Sequence, residues 1–377
     1  MILLFLYIGI ILLNFMFPKS KKLFVFDFLF MWMLIGWNYS VADYEIYLRR
    51  YMYSLMSFAT LEPLYVYLQD IAKEQSLDYN SFLMCMTFVF LFIRMIAILG
   101  MSKRHNIVVA LYLLFPYIMD ITQVRMFYAT SVVLLGLMFF IKGYKWGSII
   151  LLISVIIATM IHASCAFYLL LPLSKWMLRF TSKRVLSISV GITAMLYVLL
   201  LSGMLYNIVG YVSSWLGFPD KFAETVLANE MAYKFTYRIT YSLEVLMFFL
   251  LMNYMLSSAC RKYENTSITI KSDIATFYEK KYVEIAYRIN CLLLCILPLV
   301  WFSGDIYRLQ HGILVFFYIV FSDIKFFRDI RKYVITHYQI AMAIFVMLFM
   351  MLFLLGNESL RETVFIPVFF ENALWGE

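Results

Sequence analysis

Side chains able to do chemistry gather in this chain in a few short polar runs set between long apolar ones. Arg125 ends the run Asp120-Ile121-Thr122-Gln123-Val124-Arg125, Arg238 follows Tyr237, and Arg308 closes Ser303-Gly304-Asp305-Ile306-Tyr307-Arg308. A guanidinium is a planar, permanently charged fork that engages two phosphate oxygens at once, so these three arginines are candidates for gripping a phosphorylated group. The competing reading is that each reaches along its aliphatic stem to lipid headgroups. His162, Asp43 and Glu62 are candidates for taking a proton from a hydroxyl or orienting it, His162 first because imidazole titrates near neutral pH. Ordinary readings stand beside them: His162 as a helix-end side chain bonded to a carbonyl, and Glu62 before Pro63 as the acidic start of a helix. Gln123, Tyr44, Tyr47, Tyr65, Asp305 and His311 complete the candidate pocket. His311 shares a helical face with Arg308, and Asp305 reads as the partner that holds Arg308. The tyrosines suit stacking on sugar rings, and equally suit the aromatic belt at a membrane surface. Asp120 reads as the cap of a helix beginning near Val124. Asp27, Arg94 and Arg288, inside apolar runs, read as paired or snorkelling side chains. No metal site is expected, because Asp43 and Glu45, next but one in sequence, point to different faces of a helix.

The elements that position these groups must be membrane helices. Hydrophobic residues make up 64% of the chain and charged ones 14%, with a mean hydropathy of +0.84, whereas about a quarter of an ordinary soluble domain is charged. Lipid offers backbone groups no partners outside helices or closed barrels, and the short alternating segments of a barrel are absent from the pattern. The apolar runs predict an all-α polytopic membrane protein with about twelve transmembrane helices, each run near the length a span requires. They cover Met1–Phe17, Leu23–Trp37, Ser81–Gly100, Asn106–Met119, Val124–Ile141, Trp146–Ile161, Ala163–Trp176, Val185–Tyr206, Tyr241–Ser257, Val283–Phe302, Tyr307–Asp323 and Tyr333–Leu355. The stretch 148–173 reads either as one long helix or as two short ones turning at His162-Ala163-Ser164, and two keep the later loops in charge register. One set of alternate loops then carries most of the 31 Lys and Arg residues, in clusters such as Lys19/Lys21/Lys22, Lys103/Arg104, Lys142/Lys145 and Lys325/Arg328/Arg331/Lys332. The positive-inside tendency makes that set cytoplasmic and turns both termini outward. The chain reads as a single polytopic domain, 1–377, with external loops at about 38–80, which is helical in part, and 207–238, and a cytoplasmic loop at about 261–282. The first run lacks a basic leader and reads as a retained span. The five cysteines show neither a disulfide framework nor a zinc spacing. The net charge of +8 is what orientation by basic loops produces, and nucleic acid is not an expected partner.

On this topology the polar runs meet at the outer face, and they resemble those of a known family. Asp43-Tyr44 with Tyr47, Glu62-Pro63-Leu64-Tyr65, Gln123-Val124-Arg125 leading to Ala129, Ile161-His162-Ala163-Ser164 and Tyr307-Arg308-Leu309 are similar in order and spacing to the EpsG-like branch of the Wzy-type polysaccharide polymerases. Family members typically carry Gln after the arginine where this chain has Met126. The resemblance implies a helical bundle of the GT-C type and an enzyme of the bacterial cytoplasmic membrane. Its donor and acceptor would be undecaprenyl diphosphate-linked oligosaccharide repeats, its products O-antigen, capsule or exopolysaccharide, and a chain-length regulator a partner. No cofactor is expected. The rival readings are a flippase for the same lipid-linked sugar, which should line a route through the whole bilayer, and a polysaccharide ligase, which differs only in its acceptor.

Overall fold

The computed structural model describes residues 2–53, 62–215, 235–265, 274–323 and 358–375, and every regular element among them is helical. The chain divides into two compact units, Met1–Leu169 with Gly312–Glu377, and Leu170–His311. Among the described residues five helices are long and apolar enough to cross a membrane: Tyr79–Met101, Val124–Ile141, Ser182–Leu201, Arg238–Ser257 and Lys281–Phe302. Shorter apolar helices accompany them at Ile2–Met16, His105–Leu114, Gly147–Ile161 and Arg308–Ser322.

The first unit opens with α1 (Ile2–Met16) and α2 (Lys21–Gly36), the second started by Ser20, whose hydroxyl accepts the Leu23 N–H at 3.3 Å. Two short helices follow in the predicted external loop, α3 (Tyr44–Tyr53) and α4 (Pro63–Glu74), the latter with proline in its first turn, where no N–H is needed. Asp78 caps α5 (Tyr79–Met101) by accepting the Ser81 N–H at 2.8 Å. Then come α6 (His105–Leu114), α7 (Tyr117–Thr122), α8 (Val124–Ile141) and α9 (Gly147–Ile161). At Gly136 a β-carbon would lie 2.6 Å from that of Ser154, so the missing side chain is what lets α8 and α9 pack closely.

This unit has two distinguishable ends. At one, the C-terminal segment joins the exit of α2: the Ala373 N–H donates to the Trp37 carbonyl at 3.1 Å, Asn372 to that of Leu34 at 3.1 Å, and the Ala42 N–H to that of Thr363 at 3.3 Å. Tyr7, near the start of α1, packs edge-on against Phe369 there. At the other end the Asn106 side chain holds the Ser20 carbonyl at 3.1 Å, close to Lys19, Lys21, Lys22, Lys103 and Arg104. The basic clusters in this part of the chain thus lie at the opposite end from α3 and α4.

Two predicted spans differ from what is observed. Asn106–Met119 is broken into α6 and α7 at Pro116, whose ring nitrogen cannot donate the next helical bond. The helix before His162 does end at Ile161, but Ala163–Trp176 continues as a 3-10 segment, Ala163–Leu170, and a single turn, α10 (Leu173–Trp176). Tighter winding rises about 2.0 Å per residue, so the eight residues of that segment reach about 16 Å. The predicted span Tyr333–Leu355 lies outside the described residues, as do 216–234 of the second external loop.

The second unit holds α11 (Ser182–Leu201), α12 (Met204–Trp215), α13 (Phe235–Asn265), α14 (Ile274–Leu293), α15 (Ile296–Phe302) and the first turn of α16 (Arg308–Asp323). The segment 261–282, predicted as a cytoplasmic loop, is helical at both ends, since α13 runs on to Asn265 and α14 starts at Ile274; 266–273 are outside the described residues. Arg288 does not snorkel. Its guanidinium donates to the carbonyls of Met177 at 3.0 Å, Phe180 at 3.0 Å and Glu284 at 2.8 Å, tying α14 to the helix end at Met177–Phe180.

Candidate active site

Three segments far apart in sequence converge on the carboxylate of Glu62. Gln123 ends α7 and starts α8 with a non-helical backbone, φ −102° and ψ 50°, and this break puts Arg125 in the first turn of α8. One guanidinium nitrogen of Arg125 pairs with Glu62 Oε2. The other carboxylate oxygen accepts the Ala163 N–H at 3.2 Å and lies 4.0 Å from His162 Nδ1. Glu62 therefore does not cap α4, although it stands where a cap would; its side chain is drawn to the charge on α8 and the turn after α9. His162 Nδ1 also shares a 2.9 Å hydrogen bond with Ser164 Oγ, so the imidazole is fixed through the turn that carries it.

Aromatic rings enclose the pair. Arg125 Cζ stands 5.0 Å from the ring centre of Tyr47 and 5.7 Å from that of Tyr65, both within cation–π range. Burial pushes the Tyr65 hydroxyl well above its ordinary titration range, keeping it a neutral phenol. Arg125 Nε is buried and has no hydrogen-bond partner among the described residues. Gln123 is buried beside this turn. Asp43 lies half-buried just ahead of α3. Tyr44 turns elsewhere: its hydroxyl donates to Asn80 at 2.6 Å and its ring packs on Tyr39 and Tyr79.

The other predicted site residues belong to the second unit. His311 pairs with the buried carboxylate of Glu244 on α13, and its ring meets the face of Tyr307 edge-on at 5.0 Å. Tyr307 in turn stacks on Tyr241, centres 4.1 Å apart and planes 8° from parallel, and its hydroxyl bonds the Arg308 side chain. Arg238 lies half-buried in the first turns of α13. The Asp305 side chain is outside the described residues.

A family model of EpsG matches residues 21–370, which takes in both groups of residues. The chain belongs to the EpsG family. Members are polysaccharide polymerase-like membrane proteins, and the apolar helices of this one accord with that. No curated protein and no solved structure matches the chain.

Within this EpsG-family protein the sequence reading of Asp120 needs correction. Asp120 is not the cap of α8: it lies in α7 and binds Arg94 at 2.6 Å, together with the hydroxyl of Tyr112 at 2.6 Å. Arg94 and Asp27 are partnered rather than snorkelling, Asp27 accepting from Asn14 at 3.0 Å. One buried acid went unnoticed: Glu244, 2% exposed. Its signal was present, because a carboxylate inside an apolar run has to face a partner or a cavity. Arg50 was also missed, and helical spacing alone puts it on the face of α3 that carries Tyr47.

Proposed function

We propose that the chain is a membrane glycosyltransferase that polymerises undecaprenyl diphosphate-linked oligosaccharide repeats at the outer face of the bacterial cytoplasmic membrane, making O-antigen, capsule or exopolysaccharide. The observation that carries this reading is the convergence of Glu62, Arg125 and His162 at one end of the first unit, ringed by Tyr47 and Tyr65. Polymerisation needs three things that such a cluster supplies. A fixed guanidinium binds the diphosphate and stabilises the charge it acquires as the bond between the anomeric carbon and the phosphate oxygen breaks. A base, His162 or Glu62, takes the proton from the acceptor hydroxyl as its oxygen bonds to that carbon. Tyrosine faces give the sugar a surface to stack on. Because Glu62 already holds Arg125, a bound diphosphate would compete for the guanidinium and leave the carboxylate closer to a proton acceptor's role. On the predicted topology of twelve crossings with both termini outside, α3, α4 and the end of α9 fall on the side where lipid-linked repeats are joined.

The second reading, transport of the lipid-linked sugar, draws on the Glu244–His311 pair, since acid–imidazole pairs among membrane helices also serve proton relays. Purified protein supplied with lipid diphosphate-linked repeats in detergent separates the two. A ladder of polymer without any membrane to cross supports polymerisation, and unchanged single repeats refute it.

A further inference from the structure

We propose that Arg50 is the second arm of a diphosphate site whose first arm is Arg125, the two guanidinium groups being held on the Tyr47 ring so that the site selects a lipid diphosphate over a lipid monophosphate. The inference rests on the polymerase reading and specifies its donor subsite.

The geometry starts from α3. Tyr47 and Arg50 are three residues apart and share a helical face, while Tyr51 on the same side is buried against Tyr79 and Phe82, ring centres 5.6 and 5.4 Å away. That packing fixes the rotation of α3. The remaining charges of the helix are turned outward: Glu45 and Arg49 form an exposed pair at 3.9 Å. On the inward face the Tyr47 ring is within cation–π reach of both cations, Arg50 Cζ at 6.0 Å and Arg125 Cζ at 5.0 Å.

Two guanidinium groups so placed disfavour one another. Burial and then the charge of Arg125 depress the affinity of Arg50 for its proton, and the Glu62 carboxylate nearby offsets them only in part. An anion with two charged phosphoryl groups relieves this repulsion by giving each fork its own pair of oxygens, whereas a single phosphate satisfies one fork and leaves the repulsion standing. The Nε of Arg125, without a partner among the described residues, is a further donor for such a ligand.

The test uses the full-length purified protein and two probes, undecaprenyl diphosphate and undecaprenyl phosphate, with affinities read by native mass spectrometry in detergent. The wild type should prefer the diphosphate by about tenfold or more, the gain from a second charge-assisted fork. Arg50→Gln should weaken the diphosphate until the two lipids bind within a few-fold of each other, with monophosphate affinity unchanged as the internal check on folding. Arg50→Lys should recover part of the preference, and Arg49→Gln should leave it intact. An Arg50→Gln protein that keeps the wild-type preference, or loses both lipids in parallel, overturns the role of Arg50 while sparing the polymerase reading. A wild type that fails to prefer the diphosphate sinks the subsite, and a wild type that binds neither lipid sinks the reading beneath it.

Discussion

Two arginines in the first unit, Arg94 and Arg125, have the same kinds of neighbour and opposite circumstances. Each meets a carboxylate and tyrosine, and each is bound to the N-terminal half of α8. Arg94, on α5, is 2% exposed and all three of its nitrogens are engaged: Nε with Ser131 at 3.0 Å, Nη1 with Tyr112 at 2.5 Å and Asp120 at 2.6 Å, Nη2 with Thr130 at 2.6 Å and the Phe127 carbonyl at 3.1 Å. Arg125 is more open, its side chain 15% exposed, and among the described residues Nε has no partner. A closed network of this kind rigidifies the helices it joins, here α5 to α8. A guanidinium left with a donor to spare, beside stackable rings and next to a titratable group, is equipped to take a ligand. Residue type does not separate the two roles; satisfaction does.

The largest effect should come from the closed cluster. Arg94→Met leaves the Asp120 carboxylate buried without its counter-charge, a loss on the order of 3–5 kcal/mol in buried pairs. We expect little folded protein in the membrane and a clearly lowered thermal midpoint in detergent. The double variant Arg94→Met/Asp120→Asn should recover part of both, because the uncompensated charge is gone. Normal stability together with lost polymer in Arg94→Met would break the comparison by giving Arg94 a share in the chemistry.

At Arg125 the expected loss is in activity rather than folding. Arg125→Lys keeps the charge and loses the planar fork, so polymer should collapse toward single repeats, by about 100-fold if the group stabilises developing charge as fixed donors do elsewhere. Arg308→Lys is the matching experiment in the second unit, and it asks whether the Tyr307-bonded guanidinium belongs to the same reaction. Inserted, stable Arg125→Lys protein with wild-type ladders would mean that contact with headgroups explains the residue.

The contrast between these arginines also marks the boundary of what was legible in the residues alone. Apolar runs located most described helices, Pro63 behind Glu62 marked the start of α4, and the polar turn at His162 ended α9 where expected. Arg125, Glu62, His162, Tyr47 and Tyr65 were all named from their polar context. Pairing was not legible, since Glu62 meets Arg125 across 63 positions and only packing selects that partner over others. For the same reason Asp120 looked like a cap and Tyr44 like a pocket wall. The 3-10 winding of Ala163–Leu170 has no period that an apolar run betrays. Glu244 is a different case, because an acid amid apolar residues was visible and passed over.

A smaller effect should follow removal of the ring that Arg50 and Arg125 both face. Tyr47→Leu keeps an apolar residue in α3 but removes the cation–π contacts, each about 0.5–1 kcal/mol at a partly exposed site. Polymer formation should fall several-fold, chiefly through weaker donor binding, with the helix retained by Tyr51. A rise in the apparent KM for the lipid-linked donor at unchanged kcat is the expected pattern. Equal kcat and KM to the wild type would mean that Tyr47 is only packing, and would remove the support shared by Arg50 and Arg125.

The smallest expected effect is none, and it concerns divalent metal. A diphosphate leaving group needs its growing charge neutralised, and enzymes meet that need either with a metal ion or with fixed cationic side chains. The acids in the predicted external segment best able to hold a metal are Asp43 and Glu45. Glu45 lies on the exposed side of α3 in a pair with Arg49, away from the face that carries Tyr47, and Asp43 precedes the helix. The positive charge beside Tyr47 is instead that of Arg125 and Arg50. Polymer yield in excess EDTA should therefore match the untreated reaction. Activity abolished by chelation and restored by magnesium or manganese would transfer the role given to the open arginine to a metal at Asp43 and Glu45.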